Sequence, residues 1–444
     1  MNDRRTSVCI VTFGCQMNRL DSQLLRGELA RAGFVLTDDP NWADVVLYNT
    51  CSVRAHAEER VFSHLGSYRR RASRNGAFVL GVVGCMAQRL GRELLRRFDF
   101  VDLVCGTRAF LRVPEYLRHV LAGEGPIVDV AEDGGVSFER DPAMRVSPHR
   151  AYVSVMRGCD NLCTYCIVPR VRGRAVSRPA RQVLDEVRRL ADDGVREVTL
   201  IGQNVNSYGR GLDGQAVGLA DLLAMVSGVG GLERIRFVTS HPRDMSDDIL
   251  DAVAGLGPVC EHLHVPAQSG SDAVLRRMRR GYTAAGYREM VRRARERIPG
   301  VELAGDFIVG FPGEAEADFE DTLRLLLEVG FQQSFIFKYS PRPETRAAGW
   351  PDDVPEEVKR ERNRRLLEAQ EQVDAGRRAG MVGQVVEVLV DGPSKGDPAK
   401  LSGRTRGNDI VVFEGGPELA GRLVRVRLTG STALTLFGEP AAAP

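Results

Sequence analysis

Three cysteines in the run Arg157-Gly158-Cys159-Asp160-Asn161-Leu162-Cys163-Thr164-Tyr165-Cys166 are spaced CxxxCxxC, directly after an alternating apolar run at residues 151–156. Three thiolates on one short loop can each take one iron of a 4Fe-4S cubane and leave the fourth iron open to another molecule. The competing reading is a structural zinc loop, which needs a fourth Cys or His at short range. The nearest histidine is His149, on the far side of the apolar run.

Elements must carry these ligands, and the first 120 residues supply a strand, turn, helix rhythm. Apolar runs at 8–13, 43–48 and 77–83 end in Gly14-Cys15, Asn49-Thr50-Cys51 and Gly84-Cys85, with helical patterns such as 21–32 and 55–71 between them. Alternating strand and helix predicts a parallel sheet whose strands all end on one edge, so Cys15, Cys51 and Cys85 converge there. A second cluster with an open iron is expected at that edge. Cys9 and Cys260 sit inside strands and read as packing residues. Cys105 ends the run 101–104 and is left out of the ligand set as a small strand residue.

Six further apolar runs, at 151–156, 195–201, 234–238, 259–265, 301–309 and 332–339, alternate with helical patterns such as 181–190 and 318–329. They predict an open (β/α)6 barrel with its chemistry at the strand ends. Gly202-Gln203-Asn204, Ser240-His241-Pro242, Gln268-Ser269-Gly270-Ser271 and residues 306–313 (DFIVGFPG) lie at such ends. Each alone also reads as a turn, and their recurrence favours a site. Residues 355–378 are a charged helix expected to pack on this barrel. Short strands at 383–390, 410–413 and 421–428 then predict a small closed or nearly closed β-barrel.

At 444 residues, 43% apolar and 27% charged, the chain suits a globular protein of two or three domains. No stretch is long enough to span a bilayer, the N-terminus reads as a first strand rather than a signal peptide, and nine cysteines in a cytosolic chain favour metal ligation over disulfides. Of 61 basic residues only four are lysines, leaving 57 arginines, so a single arginine cluster means little. Arg276-Arg277 with Arg279-Arg280 reads as a solvated helix face. Arg170, Arg172, Arg174, Arg178 and Arg181 trail directly from the cysteine loop, where a basic rim would steer an RNA backbone.

CxxxCxxC with an aromatic, Tyr165, just before its last cysteine resembles the signature of the radical S-adenosylmethionine enzymes. That resemblance implies that S-adenosylmethionine chelates the open iron at Cys159, Cys163 and Cys166, that a 5′-deoxyadenosyl radical is released, and that Tyr165 lies near the adenine. Phe13-Gly14-Cys15-Gln16-Met17-Asn18, Asn49-Thr50-Cys51-Ser52-Val53-Arg54 and Val83-Gly84-Cys85 resemble the methylthiotransferases, in particular the branch that modifies isopentenylated adenosine in tRNA. The C-terminal region resembles the TRAM domain of RNA-modifying enzymes.

These resemblances imply an α/β chain. An N-terminal parallel-sheet domain (1–125) would hold an auxiliary cluster, a TIM-like radical S-adenosylmethionine core (145–376) would follow, and TRAM (378–441) would close the chain. They imply two [4Fe-4S] clusters on the six cysteines and two equivalents of S-adenosylmethionine, one as methyl donor and one as radical source. Gln203, Asn204, His241, Gln268, Ser269, Asp306 and Gly310 would surround S-adenosylmethionine and the target base. Arg170, Arg172, Arg174, Arg404 and Arg406, with Asn408, would touch RNA. The expected reaction is methylthiolation at C2 of the isopentenyladenosine next to the anticodon, at tRNA position 37. The expected setting is a cytoplasmic monomer served by a low-potential donor such as flavodoxin or ferredoxin. Alternatives are a threonylcarbamoyl-adenosine or ribosomal-protein acceptor, or a non-enzymatic iron–sulfur sensor that binds RNA. Related chains often carry Gly-Thr-Pro near the last barrel strand, where this one reads Ser340-Pro341-Arg342-Pro343-Glu344-Thr345.

Overall fold

The computed structural model describes residues 5–52, 55–74, 78–131, 145, 147–212 and 217–441. Val53 and Arg54 of the second cysteine motif, and residue 77 at the start of the third expected strand, lie outside them. The chain forms two compact units. One comprises 1–145 with 156–161 and 166–178; the other comprises 146–155, 162–165 and 179–444.

The first unit begins with β1 (Ser7–Phe13), α1 (Gln16–Arg31), β2 (Val35–Thr37), β3 (Val45–Thr50), α2 (Ala55–Ser67) and α3 (Arg69–Arg74). It continues with β4 (Val79–Gly84), α4 (Cys85–Leu90), α5 (Arg92–Arg97), β5 (Leu103–Cys105), α6 (Val113–Leu121) and β6 (Ile127–Asp129). The six strands form one parallel sheet in the order β2-β1-β3-β4-β5-β6. Every residue of β3 and β4 is buried, as a sheet covered on both faces requires. Alternation sends Val46, Tyr48, Leu80 and Val82 into one core, and Val45, Leu47, Val79 and Val83 into the other.

Next come β7 (Arg150–Ser154), β8 (Met156–Arg157), α7 (Val168–Arg172), β9 (Val176–Ser177), α8 (Ala180–Asp192), β10 (Glu197–Ile201), α9 (Leu219–Ser227) and β11 (Arg234–Phe237). After them run α10 (Asp247–Gly255), β12 (His262–His264), α11 (Asp272–Arg277), α12 (Ala284–Arg297), β13 (Glu302–Val309), α13 (Glu316–Val329), β14 (Gln333–Lys338) and α14 (Glu356–Ala379). Short β8 and β9 pair antiparallel within the first unit.

In the second unit, β7, β10 and β11 form one parallel sheet and β12, β13 and β14 another, joined by a parallel bridge between Ile235 and Val259. This is the expected open six-stranded barrel. Its helices follow their apolar faces: α8 buries Val183, Leu184, Val187 and Leu190. Ser271 and Thr283 cap α11 and α12 by accepting from the Val274 and Gly286 N–H groups. Helix α14 packs on the barrel as expected, Gln370 donating to Phe331 O at 2.8 Å and Arg362 to Glu314 Oε1 at 2.9 Å.

The chain ends with β15 (Val385–Pro393), β16 (Leu401–Arg404), β17 (Ile410–Phe413), β18 (Leu423–Ser431) and β19 (Leu436–Pro440), a closed five-stranded barrel within the same unit. Among the described residues no helix is long and apolar enough to cross a membrane.

Candidate active site

Strands β1, β3 and β4 are neighbours in register, Phe13 facing Thr50 and Thr50 facing Gly84. One step beyond that row stand Gly14, Cys51 and Cys85, and one further stands Cys15, so sheet register brings together cysteines far apart in sequence. Helix α1 begins earlier than its sequence pattern, and Cys15 is its N-cap. Gly84 has φ +93°, and a Cβ there would lie 2.4 Å from Asn49 Oδ1 and 3.0 Å from Thr50 O; glycine lets the chain turn beside β3.

Two asparagines from the cysteine motifs lock this edge. Asn18 Nδ2 donates to Asn49 Oδ1 and to Thr50 O, both at 3.2 Å, and Asn18 Oδ1 accepts from the Cys15 N–H at 3.3 Å. Asn49 Nδ2 donates to Asn18 O at 2.9 Å and Ser22 Oγ at 2.8 Å. Both side chains are fully buried and mutually satisfied, which accounts physically for the asparagine in each of the Gln-Met-Asn and Asn-Thr-Cys strings.

The Cys15 thiol is held down at about 6, first by a hydrogen bond with Cys51, with Arg172 and the Asn18 and Met17 N–H groups assisting against burial. Burial pushes Cys85 up, and Arg172 opposes it. Arg172 is itself buried, donating to Asp21 Oδ2 at 2.6 Å, while Arg157 stands 3.1 Å from Asp21 Oδ1. The expectation that Arg172 touches RNA is therefore corrected: it is inside the first unit, tied to a fully buried aspartate beside the thiols. Sequence reasoning missed Asp21, which belongs to no cysteine motif, and gave no role to Arg157 at the head of the CxxxCxxC run. Arg170 and Arg174 are exposed, the latter 3.2 Å from Asp160. Arg178, read as part of the same rim, is buried.

This donor set fits a 4Fe-4S cluster. Three sulfurs from adjoining strand ends come with a buried cation beside them, suited to an anionic cluster. Among the described residues no three Cys, His, Asp or Glu side chains close on a single ion, and a cubane spreads its thiolates over different irons. Cys105 is fully buried within one of the sheet's cores, Cys9 within the other, and Cys260 is equally buried.

The boundary between the two units runs through the CxxxCxxC loop, leaving Cys159 and Cys166 with the first unit and Cys163 and Tyr165 with the second. Cys159 N–H donates to Gly173 O at 3.2 Å. A Cβ on Gly158, at φ +76°, would lie 2.0 Å from Arg174 O. In the second unit Thr164 is pinned by its N–H to Met278 O at 3.1 Å and its hydroxyl to Arg277 O at 2.9 Å. Arg280 Nη1 donates to Cys163 Sγ and to Tyr165 Oη, both at 3.4 Å, and Nη2 to Pro266 O at 3.1 Å. Arg280 thus departs from the solvated face read for its arginine cluster; Arg276, Arg277 and Arg279 are exposed, and Arg280 turns inward past the end of α11. Tyr165 meets Phe311 edge to face at 6.3 Å.

The strand-end residues divide. His241 N–H donates to Asn206 Oδ1 at 2.8 Å and its ring meets Tyr282 at 5.6 Å. Burial, with nearby Arg280, holds the imidazole down at about 3, so it is neutral. Asn204 donates to Asp244 at 2.9 Å, and Gln203 is half-buried beside it. Gln268, at φ +66°, straps β13 through its N–H to Asp306 O at 2.7 Å and its carbonyl to the Ile308 N–H at 2.9 Å. Asp306 lies 3.3 Å from His264 Nε2.

Ser269 is a correction. It is buried against α13, its hydroxyl 3.1 Å from Thr322 Oγ1, and holds a helix instead of a ligand. Gly310 is required by packing, since a Cβ there would lie 2.3 Å from Lys359 Cγ. Around the unusual Ser340-Pro341-Arg342-Pro343 run the chain turns with Glu344 at φ +70° and Thr345 N–H donating to Arg342 O at 3.1 Å.

Arg404 and Arg406, expected at the RNA, are half-buried and make contacts inside the second unit. Arg406 reaches Glu261 at 2.7 Å and the carbonyls of Val259 and Gly257, and Arg404 is tied to Asn408 O at 2.9 Å. From the half-barrel side, Arg236 donates to the carbonyls of Arg406 and Thr405, both at 2.7 Å. This loop fixes the small barrel to the larger one.

Comparison with known proteins agrees with the architecture. Residues 153–326 match the Radical SAM superfamily, residues 7–106 the uncharacterized protein family UPF0004, and residues 380–441 the TRAM domain. A radical S-adenosylmethionine methyltransferase, TsrM from Kitasatospora setae, shares the fold with TM-score 0.55 at 16% identity, over 78% of this chain and 77% of its own. The fold and these matches define a radical S-adenosylmethionine enzyme with an N-terminal sheet domain and a C-terminal TRAM barrel.

The tRNA-2-methylthio-N(6)-dimethylallyladenosine synthase of Moorella thermoacetica is 46% identical over 98% of both chains, and that of Alkalilimnicola ehrlichii 48% identical over 97% of both. The chain belongs to the tRNA-2-methylthio-N(6)-dimethylallyladenosine synthase family.

Proposed function

We infer that this enzyme methylthiolates C2 of N6-dimethylallyladenosine at position 37 of tRNA, in the cytoplasm, as a monomer fed by a low-potential carrier such as flavodoxin or ferredoxin. The observation that carries the reading is the row of Cys15, Cys51 and Cys85 at adjoining strand ends, in a chain that also carries CxxxCxxC. Cys15, Cys51 and Cys85 would hold one [4Fe-4S] cluster, and Cys159, Cys163 and Cys166 the other. Bound there with S-adenosylmethionine, the clusters supply radical chemistry and sulfur.

That supply suits the substrate, because an adenine C2–H has neither acidity nor a leaving group for side-chain acid–base work. The chain's own residues do the positioning. Asn18 and Asn49 set the first three thiols, Arg172 complements their charge, and Arg280 orients Cys163 and Tyr165. A base in a single-stranded loop can be turned into such a site at lower cost than one in a duplex.

Nucleoside analysis of tRNA from a deletion strain tests the reading. Loss of 2-methylthio-N6-dimethylallyladenosine with accumulation of its unthiolated precursor is expected. Unchanged levels would refute it. With reduced, reconstituted protein, Cys163→Ala should abolish 5′-deoxyadenosine formation, whereas Cys51→Ala should impair thiolation and leave some cleavage.

A further inference from the structure

The second unit carries a row of side chains from strands outside the cysteine motifs. Parallel register places His264 beside Ala304, Asp306 beside Phe335, and Ile308 beside Phe337. Strand alternation puts all six on one face. The opposite face belongs to the helical layer: Phe307 meets Phe331 at 5.4 Å, and a Cβ on Gly305 would lie 2.9 Å from the Phe331 ring. The row therefore lines the inside of the half-barrel, and Ile308 packs into the same apolar cluster as Tyr165.

Its polar end is built. The Thr239 N–H donates to His264 Nδ1 at 3.1 Å, so Nε2 carries the proton and donates to Asp306 Oδ1 at 3.3 Å. Thr239 does this from φ +70°, which a β-branched residue rarely adopts; such strain concentrates where a fold must aim a group. The His264 ring also meets Phe335 edge to face at 6.4 Å. Its apolar end is open, Phe335 and Phe337 remaining 39% and 38% exposed on the inner wall.

We propose that this row is the seat of the target base: the Asp306 carboxylate accepts the N6–H of the alkylated adenine, and Phe335 with Phe337 take the ring and its dimethylallyl group. The assignment rests on the functional reading above. An aromatic face beside a fixed acceptor matches a flat base with one N6–H and an apolar substituent. The same carboxylate, beside Phe335, repels the acidic arm of a threonylcarbamoyl group, so the row selects between the two nucleosides.

Equilibrium binding to the reconstituted full-length protein tests this, using anticodon stem-loop RNA that carries dimethylallyladenosine, adenosine or threonylcarbamoyladenosine. Wild type should prefer the dimethylallyl RNA. Phe335→Ala and Phe337→Ala should each erode that preference by about tenfold, as loss of an apolar contact worth about 1.4 kcal/mol requires. Leucine at either position should restore part of it. Asp306→Ala should weaken the dimethylallyl and adenosine RNAs together and relieve exclusion of the third. Iron content and melting temperature identify a misfolded variant, in which case the leucine variant decides. Variants that keep the wild-type preference, or a wild type that binds all three RNAs equally while still forming product, overturn the proposal. A wild type that forms no methylthio product on any of them overturns the functional reading instead.

Discussion

The Arg172 guanidinium donates to Asp21 Oδ2 at 2.6 Å, joining the segment that trails the CxxxCxxC loop to the helix that follows Cys15. Both side chains are buried, at 4% and 0% exposure, so the pair lies where an unpaired charge is costly. Arg172→Ala leaves Asp21 with Arg157 as its remaining arginine partner and removes the cation beside Cys85. Stability should fall by about 3 kcal/mol, the scale for breaking a buried pair, and iron bound at Cys15, Cys51 and Cys85 should fall with it. Urea denaturation with iron analysis checks both; an unchanged midpoint would mean that the pair does not hold this region.

Gly84→Ala puts a Cβ 2.4 Å from Asn49 Oδ1, at a backbone φ of +93°. The strain is about 1–3 kcal/mol. It falls on the asparagine that sets the Cys15 edge, so the N-terminal cluster should be lost while the CxxxCxxC site keeps its iron. Iron and sulfide content, with the electron paramagnetic resonance of the reduced protein, distinguish one lost cluster from two.

His241 supplies a pH dependence. Its folded value of about 3 lies below the ordinary imidazole value near 6.5. Between those limits the unfolded chain binds a proton that the folded chain does not, so the contribution is intact above about pH 6.5 and is lost as pH falls toward 3. The slope from this residue approaches about 1.4 kcal/mol per pH unit. Denaturant midpoints between pH 7 and 5 should fall less steeply in His241→Gln than in wild type; parallel curves would refute the neutral assignment.

Arg406→Ala separates docking from RNA contact. Loss of its bonds to Glu261 and Val259 O should lower the melting temperature. The salt dependence of RNA binding should keep its slope, because no phosphate contact is lost. Arg170→Ala and Arg174→Ala, on exposed side chains, should reduce that slope and leave the melting temperature alone.

Much of the site could be read in the sequence because its signals are local. CxxxCxxC lies within eight residues, and the strand, turn, helix rhythm fixes a parallel sheet before any coordinate is known. Parallel topology alone requires the residues after 13, 50 and 84 to share an edge, so Cys15, Cys51 and Cys85 could be grouped from spacing and period. The half-barrel and closed C-terminal barrel followed from the same periods of hydrophobicity.

What the sequence leaves undetermined is which way a charged side chain turns. Arg172, Arg280 and Arg406 look like their exposed neighbours Arg170, Arg279 and Arg422, since arginine carries the same charge and similar spacing on either side of a surface. Only the folded chain brings Asp21 to the first, Cys163 to the second and Glu261 to the third, and burial makes the partners of Arg172 and Arg280 obligatory. The inner row of His264, Asp306, Phe335 and Phe337 has the same origin. Its members come from three strands, and register in a sheet, which no single segment encodes, puts them side by side.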